Sequence, residues 1–469
     1  MSKLVHSLAD AIRASGLQSG MTISFHHHLR NGDAVLNMVL AEAARQGLRD
    51  LTVQASSLFD VHLPLLDHIR SGVVTGIETN YMAAGIGRAI SEGVLQKPVV
   101  FRSHGGRPAA IESGRVVIDV AFIAAPASDA QGNANGVLGS AACGSLGYAI
   151  PDAKYAKKVV IITDHLMPYP LTPHPIEETD VDLVVQVDSI GDPKGIVSGT
   201  TRITRDPVGL SIAKLAAQVI AHSGLMVDGF SFQTGAGGAS LAVTEYLKPL
   251  LRKQQVQGSF GLGGITGYLV DMLNEGYFGN LMDVQCFDLA AVASIRDNPR
   301  HQEISATRYA SPNARSCAVK SLDTVVLGAT EIDLNFNVNV HTDSNGYIMG
   351  GSGGHSDTAE GAKLSLIVAP LFRARLPIIV DKVTCVTTKG SAVDVLVTQR
   401  GVAINPRRQD LKDNLKAAGL PVFEIDELQA QAHKLTGVPV PVKPQGRVVA
   451  QVEYPLGGIV DEIRSVCAE

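Results

Sequence analysis

The stretch with the most chemical promise in this 469-residue sequence is Gly350-Gly351-Ser352-Gly353-Gly354, closed by His355 and Asp357. Without β-carbons, backbone N–H groups can crowd around one point and a ligand can approach them closely. Asp357 stands where a helix N-cap would, which puts the run at the positive end of a helix dipole. The chemistry this suits is cradling an anion or a developing oxyanion. The structural alternative is a flexible Gly/Ser hairpin connection. Immediately upstream, Ile332, Leu334, Phe336, Val338 and Val340 alternate with polar residues, which predicts one half-buried strand from Glu331 to Val340.

Two cationic loops follow predicted strands: His26-His27-His28 with Arg30, and Arg102-Ser103-His104-Gly105-Gly106-Arg107. Arginine pairs carboxylates bidentately, so Arg102 and Arg107 read as clamps for a polyacid, with His26, His28, Arg30 and His104 as further anion contacts. His26 and His28 would share a face as metal ligands do, yet no nearby carboxylate or cysteine completes a set, and no metal is expected. Two more glycine loops, Gly235–Gly238 and Gly261–Gly267, offer bare backbone at strand ends. Gly235-Ala236-Gly237-Gly238 is a poor dinucleotide fingerprint, because Ser240 holds the third glycine position and no acidic residue ends the next strand at the right distance. Gly350–Gly354 also fits G-x-S-x-G, which leaves a serine hydrolase open, with Ser352 as nucleophile and Asp381 or Asp394 and His433 as its partners.

Strands alternate with helical stretches throughout, joined by short Gly or Asp loops, as in a doubly wound, parallel-rich α/β sheet. The pattern restarts midway. Ser15-Gly16-Leu17 and Ser223-Gly224-Leu225 each end a helix, and Ser24-Phe25 and Ser231-Phe232 each lie in the strand that follows. Two tandem α/β domains from an internal duplication are therefore expected, 1–205 and 206–469, with Pro207 opening the second domain's first helix. The tail reads as a strand (Arg447–Val452) and a closing helix (Val460–Val466).

Apolar residues make up 45% and charged residues 18%, the composition of a globular protein, and the formal charge of −5 carries no basic block that would suit nucleic acid. The five scattered cysteines, without a CxxC pair, point to a reducing compartment. The N-terminus reads as an amphipathic helix and not a signal peptide, and no apolar run is long enough to span a membrane. The expected setting is the cytoplasm.

Several runs together carry a resemblance: SGLQSGMTISFHH, SHGGR, QGNANG, CGSLGYA, DGFSFQTGAGGASLAV, SFGLGGITG, EIDLNFNVNV, GGSGGHSDTA, VDVLVT and NPRRQDL. Over nearly its whole length the chain resembles the alpha subunits of citrate lyase, which are citrate:acyl-carrier-protein CoA-transferases. The resemblance implies two CoA-transferase-like domains with the active site between them. More distant CoA-transferases use a glutamate nucleophile that forms an acyl-enzyme thioester. The corresponding stretch here, GLGGITG, has Gly267 or another uncharged residue at that point, and no carboxylate occurs between Ser259 and Val270.

The resemblance thus implies direct attack of citrate on an acetyl thioester, with an oxyanion hole at Gly353 and Gly354, His355 beside them, and Asn339 holding the thioester or pantetheine arm. Further thioester contacts fall to Gln233, Gly235, Gly237, Gly238, Gly263, Gly264, Gly267 and Gly351. No directly bound cofactor is expected. The substrate group is the CoA-like phosphopantetheine of a partner acyl carrier protein (gamma subunit), and a citryl-thioester lyase (beta) subunit completes an oligomeric complex acting on citrate and acetate.

Overall fold

The computed structural model describes residues 3–197, 201–440, 442 and 444–467. Two large sheets dominate it. The first is built on β1 (Thr22–Phe25), β2 (Leu51–Ala55), β3 (Val74–Thr79), β4 (Val99–Phe101), β5 (Val120–Ala124), β6 (Lys158–Thr163) and β7 (Leu183–Gln186). The second is built on β8 (Ser231–Thr234), β9 (Gly258–Ile265), β10 (Phe278–Cys286), β11 (His301–Glu303), β12 (Thr324–Gly328), β13 (Leu364–Val368) and β14 (Val395–Thr398). Strands such as Val159–Thr163 and Leu364–Val368 are buried along their length, as expected for parallel strands covered by helices on both faces.

The two sheets share one order. The first runs β4-β3-β2-β1-β5-β6-β7 and the second β11-β10-β9-β8-β12-β13-β14, every neighbour parallel. This matches the order a duplication would produce. In both, the chain reverses direction across the sheet beside its first strand, and the crevice at such a switch point is where open α/β sheets bind ligands.

A local unit repeats with the order. After β5, Asp129 Oδ1 accepts from the Gln131 and Asn133 N–H groups (2.9 and 3.2 Å) and its Oδ2 accepts from Asn133 Nδ2 (2.9 Å). After β12, Asp333 does the same with Asn335 N, Asn337 N and Asn337 Nδ2 (2.9, 2.9 and 3.0 Å). Asn135 and Asn339, two residues further on, each accept two backbone N–H groups from the next turn. This aspartate-centred turn is why Glu331–Val340 is a hairpin and not the single strand its alternation predicts. The chain folds back at Phe336 (φ +64°), and Glu331–Asp333 pairs antiparallel with Val338–Asn339. Hydrophobic alternation carries no sign of a side chain that satisfies the backbone locally.

Two other expectations are corrected. Gly261–Gly264 lie inside strand β9 and not in a loop; β-carbons on Gly261, Gly263 and Gly264 would lie 2.8, 2.7 and 2.2 Å from Leu281, Gln233 and Phe287. These glycines make room for neighbouring side chains in a sheet interior. In the tail, Ile459–Arg464 is a strand (β16) paired antiparallel with β15 (Val448–Glu453), and β15 pairs parallel with β4. The boundary near Asp206–Pro207 does open the second sheet's first helix, with Asp206 capping Gly209 N at 3.0 Å. The tail strands β15 and β16 join the edge of the first sheet and not the second. No helix among the described residues is long and apolar enough to cross a membrane.

Candidate active site

Each half sends one loop into the other. Helix α1 (Ala149–Tyr155) is preceded by Gly144–Tyr148, which docks on the ends of β10 and β11: Ser145 Oγ donates to the Asp283 carbonyl (3.0 Å), Leu146 N to the Glu303 carboxylate, and Ala306 N to the Gly147 carbonyl (2.8 Å). Helix α2 (His355–Gly361) is preceded by the glycine run, which docks on the ends of β3 and β4. Met82 N donates to the Gly350 carbonyl (3.1 Å), Gly353 N to the Asn80 carbonyl (3.2 Å), and His104 N to the Gly353 carbonyl (2.8 Å). A β-carbon on Gly351 would lie 2.3 Å from the Asn80 carbonyl oxygen, so only glycine permits this approach. The run therefore lies in the groove between the halves.

Gly353 has φ +50° and Gly354 caps α2, a reversal that turns successive N–H groups toward one side. The Gly353 N–H is taken by Asn80, while the Gly354 N–H makes no hydrogen bond among the described residues. Asp357 is not the N-cap. It lies inside the first turn of α2 and reaches the other half, where its carboxylate accepts from Ser103 Oγ (2.6 Å) and Gly105 N (2.9 Å).

A wall of aromatic and imidazole rings faces these glycines. His27 stacks on Tyr148 (4.9 Å between centroids) and on His104 (5.7 Å), and His104 packs on Tyr148 (4.4 Å). His26 and His28 stack on each other behind them. Burial lowers the pKa of His27 and His28 well below the usual imidazole range, and burial with Arg107 and Arg30 nearby lowers His104 to about 3. His27, His28 and His104 are therefore uncharged at neutral pH. The cation beside the wall is Arg30, in a left-handed conformation (φ +52°), with its guanidinium 4.9 Å from the Phe59 ring of its own half and 5.0 Å from the Phe287 ring of the other. Burial lowers its pKa to about 10, and it stays charged. Gln285 Nε2 donates to the His27 carbonyl across the groove (2.9 Å).

Arg102 and Arg107 are not substrate clamps in this structure. Arg107 forks onto Asp152 (2.6 Å to each oxygen) and donates to Gln54 Oε1 (2.7 Å). Gln54 donates to Glu78, Glu78 pairs with Arg102, and Arg102 pairs with Glu453 of the tail strand (3.0 Å). His26 Nε2 lies 2.9 Å from Asp152 Oδ2. Arginines next to predicted strand ends looked like ligands because sequence does not show which carboxylates the fold brings beside them.

The remaining candidates divide by place. Gln233 lies under Gly263, donates to the Tyr309 hydroxyl (2.8 Å), and has a buried Oε1 with no partner among the described residues. Gly264 packs on Phe287 and so borders Arg30. Asn339 is fully engaged, donating to Glu331 and Thr342 and accepting from His341 N and Thr342 N, so it builds the turn. His355 has both ring nitrogens engaged, with Thr388 Oγ1 and the Gly328 carbonyl, and burial lowers its pKa to about 4. Gly235, Gly237 and Gly238 pack near Leu327, Ser240 and Thr204, and Gly267 N is bonded to Asp288 (2.7 Å). The serine hydrolase reading has no triad: Ser352 Oγ bonds Ser356 Oγ, Asp381 bonds Gln429, and Asp394 bonds Ser365 and Arg407. Sequence reasoning named His27 only within the His26–His28 run, and it missed Asn80, Tyr148 and Tyr309. Their only signal is a polar or aromatic residue near a strand end or helix start, which most such residues share.

Asp357 and Glu303 give the groove a pH signature. Burial raises both carboxyls to about 7, against hydrogen bonds that pull the other way. An acid with a raised folded pKa keeps a proton that the unfolded chain releases, so its contribution makes stability fall as pH rises from about 4 to 7, then level off. Asp357→Asn should flatten that slope, and adding Glu303→Gln should flatten it further. Denaturant midpoints across this pH range check it.

Known proteins agree with this architecture. Residues 1–466 match the family model described as citrate lyase, alpha subunit (CitF). The chain is 52% identical over 464 residues to the citrate lyase alpha chain of Klebsiella pneumoniae, covering 99% of this chain and 91% of that one. It is 50% identical to the Escherichia coli (strain K12) protein of the same name, with the same coverage. A solved citrate lyase alpha subunit from Streptococcus mutans, in complex with citrate, superposes with a TM-score of 0.97 at 50% identity, covering 100% of this chain and 92% of that one. The 4-hydroxybutyrate CoA-transferase of Porphyromonas gingivalis shares the fold alone, with a TM-score of 0.58 at 17% identity, covering 92% of this chain and 96% of that one. The chain belongs to the citrate lyase alpha subunit family, the CoA-transferase component of that enzyme.

Proposed function

We propose that the groove exchanges acetyl for citryl on a carrier-protein thioester by direct attack of one bound acid on the other, with no acyl-enzyme. A citrate carboxylate oxygen attacks the acetyl carbonyl, and the pantetheine thiolate leaves. The thiolate then attacks the citryl carbonyl of the mixed anhydride, forming the citryl thioester and releasing acetate. Both steps pass through a tetrahedral oxyanion.

The observation that carries this reading is the absence of a protein nucleophile where one is expected. Strand β9 ends in Gly263-Gly264-Ile265 before Thr266 and Gly267, with no carboxylate. The interface acids Asp357 and Glu303 are occupied by donors from the first half. A buried cation, Arg30, held between the Phe59 and Phe287 rings of the two halves, supports an acid as the substrate, and the Streptococcus mutans relative was solved with citrate. The unpartnered Gln233 Oε1 suits an amide N–H of the pantetheine arm. Assembly with a citryl-thioester lyase subunit and a small acyl carrier protein completes the reaction cycle, and the anhydride requires a groove closed against water.

Initial rates test the scheme. Both substrates must be bound together, so varying citrate against acetylated carrier should give intersecting lines in double-reciprocal plots. Parallel lines, the mark of a ping-pong acyl-enzyme, would count against it.

A further inference from the structure

The glycine run offers fewer donors at this point than its sequence suggests, because the Asn80 carbonyl already accepts the Gly353 N–H and, of the Gly353–Gly354 pair, Gly354 alone keeps an N–H without a hydrogen bond among the described residues. Oxyanion holes normally use at least two donors aimed at the developing charge. Two side chains converge on the same two glycines, one from each half. A β-carbon on Gly354 would lie 2.6 Å from the Tyr309 hydroxyl, and one on Gly353 would lie 3.4 Å from His104 Nε2.

Each side chain is set up as a donor. Tyr309 accepts Gln233 Nε2 at its hydroxyl oxygen (2.8 Å) and donates its own proton to no described residue. His104 Nδ1 faces the Asn80 amide nitrogen at 3.0 Å. An amide N–H can only donate, so Nδ1 is an acceptor and the ring proton resides on Nε2. We propose that the oxyanion hole is a three-donor set made of the Gly354 N–H, the Tyr309 O–H and the His104 Nε2–H, completed only when the two halves meet. The proposal rests on the transfer reading above and names the groups that stabilise its intermediates.

Burial raises the Tyr309 pKa, with the Gln233 bond opposing it weakly, and burial leads the lowering of His104. Neither group changes protonation near neutral pH, so both act by donating hydrogen bonds and not by transferring protons. A neutral imidazole can serve in this way as an electrophile beside a developing negative charge.

Tyr309→Phe removes one hydroxyl and leaves the ring in place. In the assembled complex it should lower kcat about 10²-fold, the usual loss for one oxyanion donor. KM for citrate should stay within about threefold, because the interaction exists only in the transition state. His104→Ala should show the same split, and His104→Gln, which returns an amide N–H near Nε2, should recover much of the loss. ¹⁵N chemical shifts of His104 should report a proton on Nε2. A kcat for Tyr309→Phe within about threefold of wild type, a loss confined to KM or to thermal stability, or a proton on Nδ1 would each overturn the proposal. These readouts hold whether or not an acyl-enzyme forms, so the hole and the transfer route fail separately.

Discussion

Gly351→Ala is expected to abolish most turnover while leaving each half folded. Its β-carbon would meet the Asn80 carbonyl oxygen at 2.3 Å and the Tyr81 Cα at 2.7 Å, both backbone atoms that cannot rotate away. The glycine run must then withdraw from the first half, carrying with it the Met82–Gly350, Gly353–Asn80 and His104–Gly353 backbone bonds. The Gly354 N–H moves relative to His104, which stays with β4. A displacement of about 1 Å at such a site is enough to cost about 10²-fold in rate. The loss should fall on kcat, and circular dichroism should show an unchanged strand and helix content. A variant with normal kcat would mean that the run does not need its contact with Asn80.

The second large effect concerns stability. Arg107→Met should destabilise the protein by about 3–5 kcal/mol, since removing one partner of a buried pair leaves a charge without compensation. Arg107 and Asp152 are both sealed from solvent, at 2% and 0% side-chain exposure. Burial resists charge on Asp152, but Arg107 and then His26 outweigh it and hold the carboxyl well below the usual range. The methionine strands that carboxylate and also releases Gln54, which links the pair through Glu78 and Arg102 to Glu453 of the tail. Denaturant unfolding would measure the loss. Replacing both partners by apolar residues of similar volume, as in Arg107→Met/Asp152→Leu, should return much of it, because a matched apolar pair leaves no buried charge. If the single variant matched wild type, the chain from Asp152 to Glu453 would not be a structural spine.

These effects show where sequence sufficed. Parallel strands such as Leu364–Val368 advertise themselves as short apolar runs, and Asp206-Pro207 marks a helix start by residue type alone. The glycine run Gly350–Gly354 alone allows an anion cradle or a hairpin connection, and a place between the halves is legible only through the family resemblance. What failed depended on partners distant in sequence. Asp357 is 254 residues from Ser103, and Arg102 is 351 residues from Glu453, so capping logic and clamp logic both chose the nearest explanation. Tyr309 lies in a five-residue helix with no motif around it, and its place under Gly354 is a property of the closed interface. The tail strand Ile459–Arg464 misled for a related reason: its length and charge allow a helix, and only the waiting edge of β15 selects a strand.

The account's central claim is that one bound acid attacks the other's thioester without help from a protein carboxylate. A single-turnover experiment with citrate labelled with ¹⁸O in its carboxylates, acetylated carrier and excess enzyme tests this directly. The attacking oxygen of citrate becomes an oxygen of the departing acetate, so the first acetate released should carry one ¹⁸O, and the protein should carry none. Unlabelled acetate in that first turnover, with ¹⁸O later found in a protein side-chain carboxyl, would contradict it.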